Sequence, residues 1–170
     1  RLDIVVNNAA IRLEAPFDAL RYADWQAAHA VCVDGAFHCT QSALPHLRRS
    51  DAGSVINIGG MTAHTGAADR AHVVSAKAAL GGFTRALAHE LADSAITVNC
   101  VSPGLIDTVR QSASASARPA HCAHHQALLG RRGRPDEVKK VLMDACTDIG
   151  RDRQFQGKGI PNLMKMLLNV

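Results

Sequence analysis

No stretch of this sequence comes near the ~18 consecutive apolar residues of a membrane-spanning helix, so a membrane is not an expected partner. Aromatic residues make up only 4% of the chain, and none alternates with basic residues in the manner of a base-stacking surface. The excess of Lys and Arg over Asp and Glu, 19 against 15, is therefore read as a solvated face, and nucleic acid is not expected either. Much of that charge falls late, in Arg131, Arg132 and Arg134 and around Lys139 and Lys140. The opening residues Arg1-Leu2-Asp3 do not read as a signal peptide, which makes the cytoplasm the expected compartment. The five cysteines, Cys32, Cys39, Cys100, Cys122 and Cys146, include no C-x-x-C pair. Reduced thiols are expected, with neither a disulfide framework nor a structural zinc site. His121-Cys122-Ala123-His124-His125 has metal-binding residue types but no second cluster at a structural spacing, and no metal is expected.

What is present suits one globular unit. A chain of 170 residues, 47% of them apolar, has material for a single core. The β-branched run Leu2-Asp3-Ile4-Val5-Val6 predicts a buried strand ending in a turn at Asn7-Asn8-Ala9-Ala10. From Asp24 to about Leu47, the residues Trp25, Ala28, Val31, Ala36, Phe37, Ala43 and Leu47 recur mostly at helical spacing, with Pro45 near the end. Ser54-Val55-Ile56-Asn57-Ile58 predicts a strand at the centre of a parallel sheet, stopped by Gly59-Gly60. Val73, Ala76, Leu80, Phe83, Leu87 and Leu91 step by three or four residues and predict a helix from about His72 to Ala92. Ile96 to Val101 predicts a third strand, closed by Ser102-Pro103-Gly104. Pro135-Asp136-Glu137 reads as another helix start, reaching toward Cys146.

Strand, helix, strand, helix, strand is the alternation of an α/β fold with parallel crossovers, whose functional groups belong in the loops after the carboxyl ends of the strands. Those loops begin at Asn7, Gly59 and Pro103. Residues 1–150 are expected to form this unit. Residues 110–130, with Ser112-Ala113-Ser114-Ala115-Ser116, are of low complexity, and 151–170 form a divergent tail.

Four motifs in order, Asn7-Asn8-Ala9-Ala10, Ala76-Lys77-Ala78-Ala79-Leu80, Ile96-Thr97-Val98-Asn99 and Pro103-Gly104-Leu105-Ile106-Asp107-Thr108, resemble the short-chain dehydrogenase/reductase family, in its 3-oxoacyl-reductase-like branch. The resemblance covers about residues 1 to 138. It implies part of a Rossmann-type doubly wound parallel sheet, a bound NAD or NADP, and hydride exchange with a small alcohol or carbonyl substrate. By the same resemblance, Asn7, Asn8, Ala9 and Ala10 form the turn supporting the cofactor's adenosine side. Pro103, Gly104 and Thr108 cradle the nicotinamide half, and Lys77 hydrogen-bonds the nicotinamide ribose.

Other positions depart from the family. Its catalytic tyrosine stands four residues before the lysine, and that residue here is Val73. Its substrate-polarising serine falls on Gly60, and its helical asparagine on Cys32. Of the Asn-Ser-Tyr-Lys set only Lys77 remains. The glycine-rich phosphate turn, G-x-x-x-G-x-G in the family, is not found in this sequence and would precede Leu2. Little or no turnover is therefore expected of the chain, which resembles the carboxyl-terminal two-thirds of the family's domain. His72 lies about 100° round the helix from Lys77, and Thr62, His64 and Ser75 are read as solvated. Cys32 is read as a small packing residue. In the family, helices equivalent to residues 24–47 and 72–92 form the main dimer interface, which implies a homo-oligomer here. A non-catalytic, dimerising interaction protein and a fragment without a stable fold are the competing readings.

Overall fold

The computed structural model of the chain describes residues 1–107 and 130–146. Thr108, the Ser/Ala-rich stretch, the His121 cluster and the 151–170 tail lie outside them. Within them the elements run β1 (Ile4–Asn7), α1 (Tyr22–His29), a π-helical turn (Ala30–Asp34), α2 (Gly35–Leu47), β2 (Gly53–Ile58), α3 (Thr62–Thr65), α4 (Ala71–Glu90), β3 (Ile96–Val101) and α5 (Pro135–Cys146). All three strands are parallel, in the order β1-β2-β3. The expected α/β architecture is thus present.

Strand alternation divides the side chains between two layers. Val55 and Val98 are fully buried against Ala43 and Leu47 of α2 and against Ala88 and Leu91, at and just beyond the end of α4, with Ile96 completing the cluster. Ile56 points the other way and is also fully buried, on the sheet that α5 packs against through β2 and β3.

Two sequence expectations are corrected. The first strand is not buried: Ile4 and Val6 are 42% and 47% exposed. β1 is an edge strand among the described residues, so only Val5 reaches the core cluster. The second correction concerns residues 22–47, which do not form one regular helix. A π turn holds an extra residue and shifts the phase of α2 relative to α1. The buried line runs Ala28, Cys32, Ala36, Thr40, Ala43, Leu47, while Phe37, expected inward, is 44% exposed.

The start of α5 follows its local chemistry closely. Glu137 accepts the Arg134 backbone N–H at 2.6 Å and a two-pronged contact from Arg131 at 2.7 and 3.1 Å, a capping arrangement that satisfies a free helix-end donor. The Arg131 hydrogen bonds hold its carboxyl at a pKa of about 2. Just ahead, Gly133 donates to Leu105 O at 2.8 Å and accepts from Asp107 N at 2.8 Å, tying this helix to the loop after β3. A Cβ on Gly133 would come within 2.8 Å of Ile106 Cδ1.

Candidate functional site

In a parallel sheet the loops after the strand ends gather on one edge, and here hydrogen bonds lock two of them together. Gly59 N donates to Val101 O at 2.8 Å, and Met61 N to Pro103 O at 3.1 Å. Position 59 requires glycine, since a Cβ there would stand 2.8 Å from Ser102 Oγ and 3.0 Å from Cys100 Sγ. Position 60 is different: a Cβ would meet nothing within 4 Å. A side chain at position 60 would therefore have room.

Asn7 is placed in a role that the sequence alone did not reveal. Its amide donates to Thr40 Oγ1 at 3.0 Å and to Asn57 Oδ1 at 2.8 Å, Asn57 donates to Thr84 Oγ1 at 2.9 Å, and Thr84 donates to Leu80 O at 2.7 Å. This ladder joins β1, β2, α2 and α4 through buried polar groups that satisfy one another. The signal available in sequence was Asn57, a polar residue inside the apolar run Ser54–Ile58. Asn8 and Ala9 are exposed beyond the strand end and Ala10 is half-buried. Pro103 is half-buried and Gly104 exposed.

Lys77 lies one helical turn after Val73, and both face inward from α4, 8% and 4% exposed. Lys77 is thus not a solvated helix lysine. Its ammonium donates to the Ile58 carbonyl at the end of β2. Burial pushes its pKa down; the Cys32 thiol opposes that shift, the Arg12 guanidinium adds to it and the Cys100 thiol opposes it. Cys32 is 2% exposed and lies within the π turn. Cys100 is 6% exposed, and burial pushes its thiol pKa up.

Of the neighbouring polar residues read as solvated, His64 is exposed as expected, whereas Ser75 and Thr62 are half-buried. The His64 Nε2 lies 3.3 Å from Ser102 Oγ. Ser75 donates to His72 O at 3.1 Å and lies 3.3 Å from His29 Nε2. The chain's one tyrosine, Tyr22, opens α1 at 72% exposure and does not stand in for a phenol beside Lys77.

His72 is fully buried, and neither ring nitrogen has a hydrogen-bond partner among the described residues. Burial lowers its pKa below the ordinary 6.5, Arg70 and His29 lower it further, and Asp24 acts against them. The unfolded chain therefore binds the proton at higher pH than the folded one. The stability conferred by neutral His72 is fully present above about pH 6.5 and declines as pH falls toward the folded pKa. Urea midpoints measured from pH 7.5 to 5 are expected to fall more steeply for this chain than for His72→Leu. The difference is at most ~1.4 kcal/mol per pH unit, the limit for one proton. Parallel curves would show that His72 does not titrate between the two states.

Among the described residues no group of three or more His, Cys, Asp or Glu is placed to hold a metal ion, and no helix is long and apolar enough to cross a membrane. The fold has counterparts among known proteins. Residues 1–151 match the protein family described as enoyl-(acyl carrier protein) reductase. The chain is 34% identical over 148 residues to the 3-oxoacyl-[acyl-carrier-protein] reductase of Aquifex aeolicus, covering 87% of this chain and 59% of that protein. It is 36% identical over 148 residues to a subunit of the (2S)-[(R)-hydroxy(phenyl)methyl]succinyl-CoA dehydrogenase of Thauera aromatica, with 87% and 59% covered. A solved short-chain dehydrogenase/reductase from Brucella melitensis, described as a glucose/ribitol dehydrogenase, superposes with a TM-score of 0.72 at 32% identity, over 86% of this chain and 56% of that one. The chain thus spans less than two thirds of the length of these relatives.

Proposed function

We propose that this chain, which belongs to the short-chain dehydrogenase/reductase family, is a member of it whose hydride-transfer site has been silenced. The observation that carries this reading is Val73. In the family's chemistry a phenol beside the lysine passes a proton to or from the substrate oxygen as hydride moves to or from carbon. An isopropyl group has no such proton, and the sole tyrosine lies exposed on α1. Gly60 offers no hydroxyl to polarise a carbonyl, and Cys32 stands at the helical asparagine position. The active site is degenerate at three of four positions.

The residues present fit a nicotinamide cofactor on one side only. Lys77, Pro103 and Gly104 occupy the loop edge where the ribose and nicotinamide would lie, with Asn8, Ala9 and Ala10 at the end of β1 and Asn7 buttressing that turn from behind. Thr108 belongs to the same set by resemblance. When bound, the nicotinamide would donate hydride in its reduced form and accept it in its oxidised form; the pyrophosphate-binding turn corresponds to a part of the relatives outside these residues. The reading as a carboxyl-terminal portion of such a domain, taking a small alcohol or carbonyl substrate, rests on the same resemblance.

A second reading has its own support. Ala78 and Ala79 are exposed on α4, and a Cβ at Gly82 would meet nothing within 4 Å, so a second helix can approach closely there. Together with exposed Phe37 on α2, this suits a non-catalytic homo-oligomer assembled through α2 and α4. Two measurements test the pair of readings. The chain with NADH or NADPH and a panel of aldehydes, ketones and 3-oxoacyl thioesters is expected to show no turnover above background. Sedimentation is expected to show a dimer insensitive to these nucleotides if the assembly role holds. Turnover at rates ordinary for the relatives would overturn the silent-site reading, and a monomer would overturn the assembly reading.

A further inference from the structure

We propose that residues 8–16, the segment that leads from β1 toward α1, form a latch that is held shut while His72 is neutral and is released when that ring takes up a proton. The segment leaves the carboxyl end of β1, at the edge where an α/β sheet binds its ligands, so acidification opens that edge. Neither Lys77 nor a cofactor takes part.

Three observations meet at the amino end of α4. First, His72, the second residue of that helix, is fully buried, with both ring nitrogens unpartnered among the described residues. A buried polar ring without hydrogen bonds is costly as it stands and far more so once charged, so the proton is taken up only when the ring reaches water. Second, residues 8–15 belong to no helix or strand and make one backbone hydrogen bond among the described residues, Ala15 N to Asp69 O at 2.8 Å. Beside it, Glu14 Oε1 lies 3.9 Å from Arg70 Nε. Both ties fasten the segment to Asp69 and Arg70, directly ahead of α4. So light an attachment opens well before the sheet unfolds. Third, Asp69 has φ of 58°, a left-handed backbone sparsely populated by residues other than glycine, which relaxes more readily once its carbonyl loses Ala15.

The surrounding charges set the direction. Asp24 of α1 favours a proton on the ring, whereas Arg70 ahead of α4 and His29 of α1 disfavour it, and burial outweighs Asp24. In the segment itself, Glu14 faces Arg70 and Arg12 is exposed. A ring released to water returns to its ordinary pKa of 6.5. The open form therefore gains a proton that the closed form refuses, and opening grows more frequent as pH falls below that value. Between pH 7.5 and 5.0 the gain is at most ~30-fold, about tenfold for each unit below 6.5.

Amide hydrogen exchange of the whole chain, followed by NMR from pH 7.5 to 5.0, tests the latch. Each rate is divided by that of an unstructured peptide at the same pH to give an opening constant. Val55 and Ile56, on the strand paired on both sides, report global unfolding. The Ala15 amide is expected to open roughly tenfold more often than these or more at every pH, and its opening constant to rise by about ten- to thirtyfold as pH falls. His72→Gln and His72→Leu are each expected to remove that rise, and His29→Gln to keep it. Opening at Ala15 that does not change with pH overturns the proposal, as does a rise that persists in a His72 variant or vanishes in His29→Gln. Equal opening constants at Ala15 and in β2, an unfolded chain included, overturn it as well, since the segment then has no opening of its own. One further readout needs no variant: His72 ring resonances that titrate at the ordinary value in the folded chain also overturn it.

Discussion

Tyrosine at position 73, with serine at position 60, is expected to raise NAD(P)H-dependent carbonyl reduction by ~10²–10⁴-fold, the usual contribution of a placed general acid. The comparison is made in a chimera that carries, ahead of Leu2, the glycine-rich amino-terminal segment of a 3-oxoacyl reductase relative. Both members of the comparison then bind nucleotide and differ only by Val73→Tyr and Gly60→Ser. The reason for expecting recovery is local. Position 73 is one turn before Lys77 on the same face of α4, the lysine is already buried and fixed to the end of β2, and position 60 accepts a side chain without a clash. Lys77 would then do what a cation beside a phenol does, lowering its pKa from ~10 toward the working range. Steady-state rates on both chimeras check this. Equal rates with and without the two substitutions, or nucleotide binding without turnover in the restored chimera, would show that the loss of the phenol is not what silences the site.

Leu47→Ala is expected to lower the unfolding free energy by about 2–5 kcal/mol, the range for emptying a buried leucine site. Leu47 is fully buried where α2 meets the sheet, in one cluster with Val55, Leu91 and Val98. Neighbours drawn from two helices and two strands cannot all close on the vacated space. Ile4→Ala is the matched control, also an aliphatic truncation but at a side chain 42% exposed on the edge strand, and is expected to cost below ~1 kcal/mol. Urea unfolding of the two variants separates the outcomes. Similar losses would mean that the edge strand is covered in solution, or that the Leu47 cluster does not bear the fold.

How much of this was legible in sequence differs from element to element. The β2 run Ser54–Ile58 and the α4 stripe through Val73, Ala76, Leu80 and Leu91 were plain because each is buried along its length and so carries an unbroken period. The cap of α5 was plain because Pro135, Asp136 and Glu137 act through neighbours in the chain. The π turn was not: an extra residue in one turn leaves no mark on composition, and it shows only in Phe37 facing outward where a regular spacing would turn it in. The burial of His72 was missed for a related reason, since angular position on α4 says nothing about which loops and helices close over that face.

The sequence by itself determined the succession of strands and helices, the glycines that fit between close neighbours, and the identity of the side chains at the positions proposed to carry the site. Val73, Gly60 and Cys32 are facts of the chain, independent of its packing. Tertiary structure decided what those residues experience. Burial of Lys77 against Ile58 O and the Asn7–Asn57–Thr84 ladder each join groups distant in sequence. Their energies depend on distance and on exclusion of water, which arise only when the sheet and its helices close together.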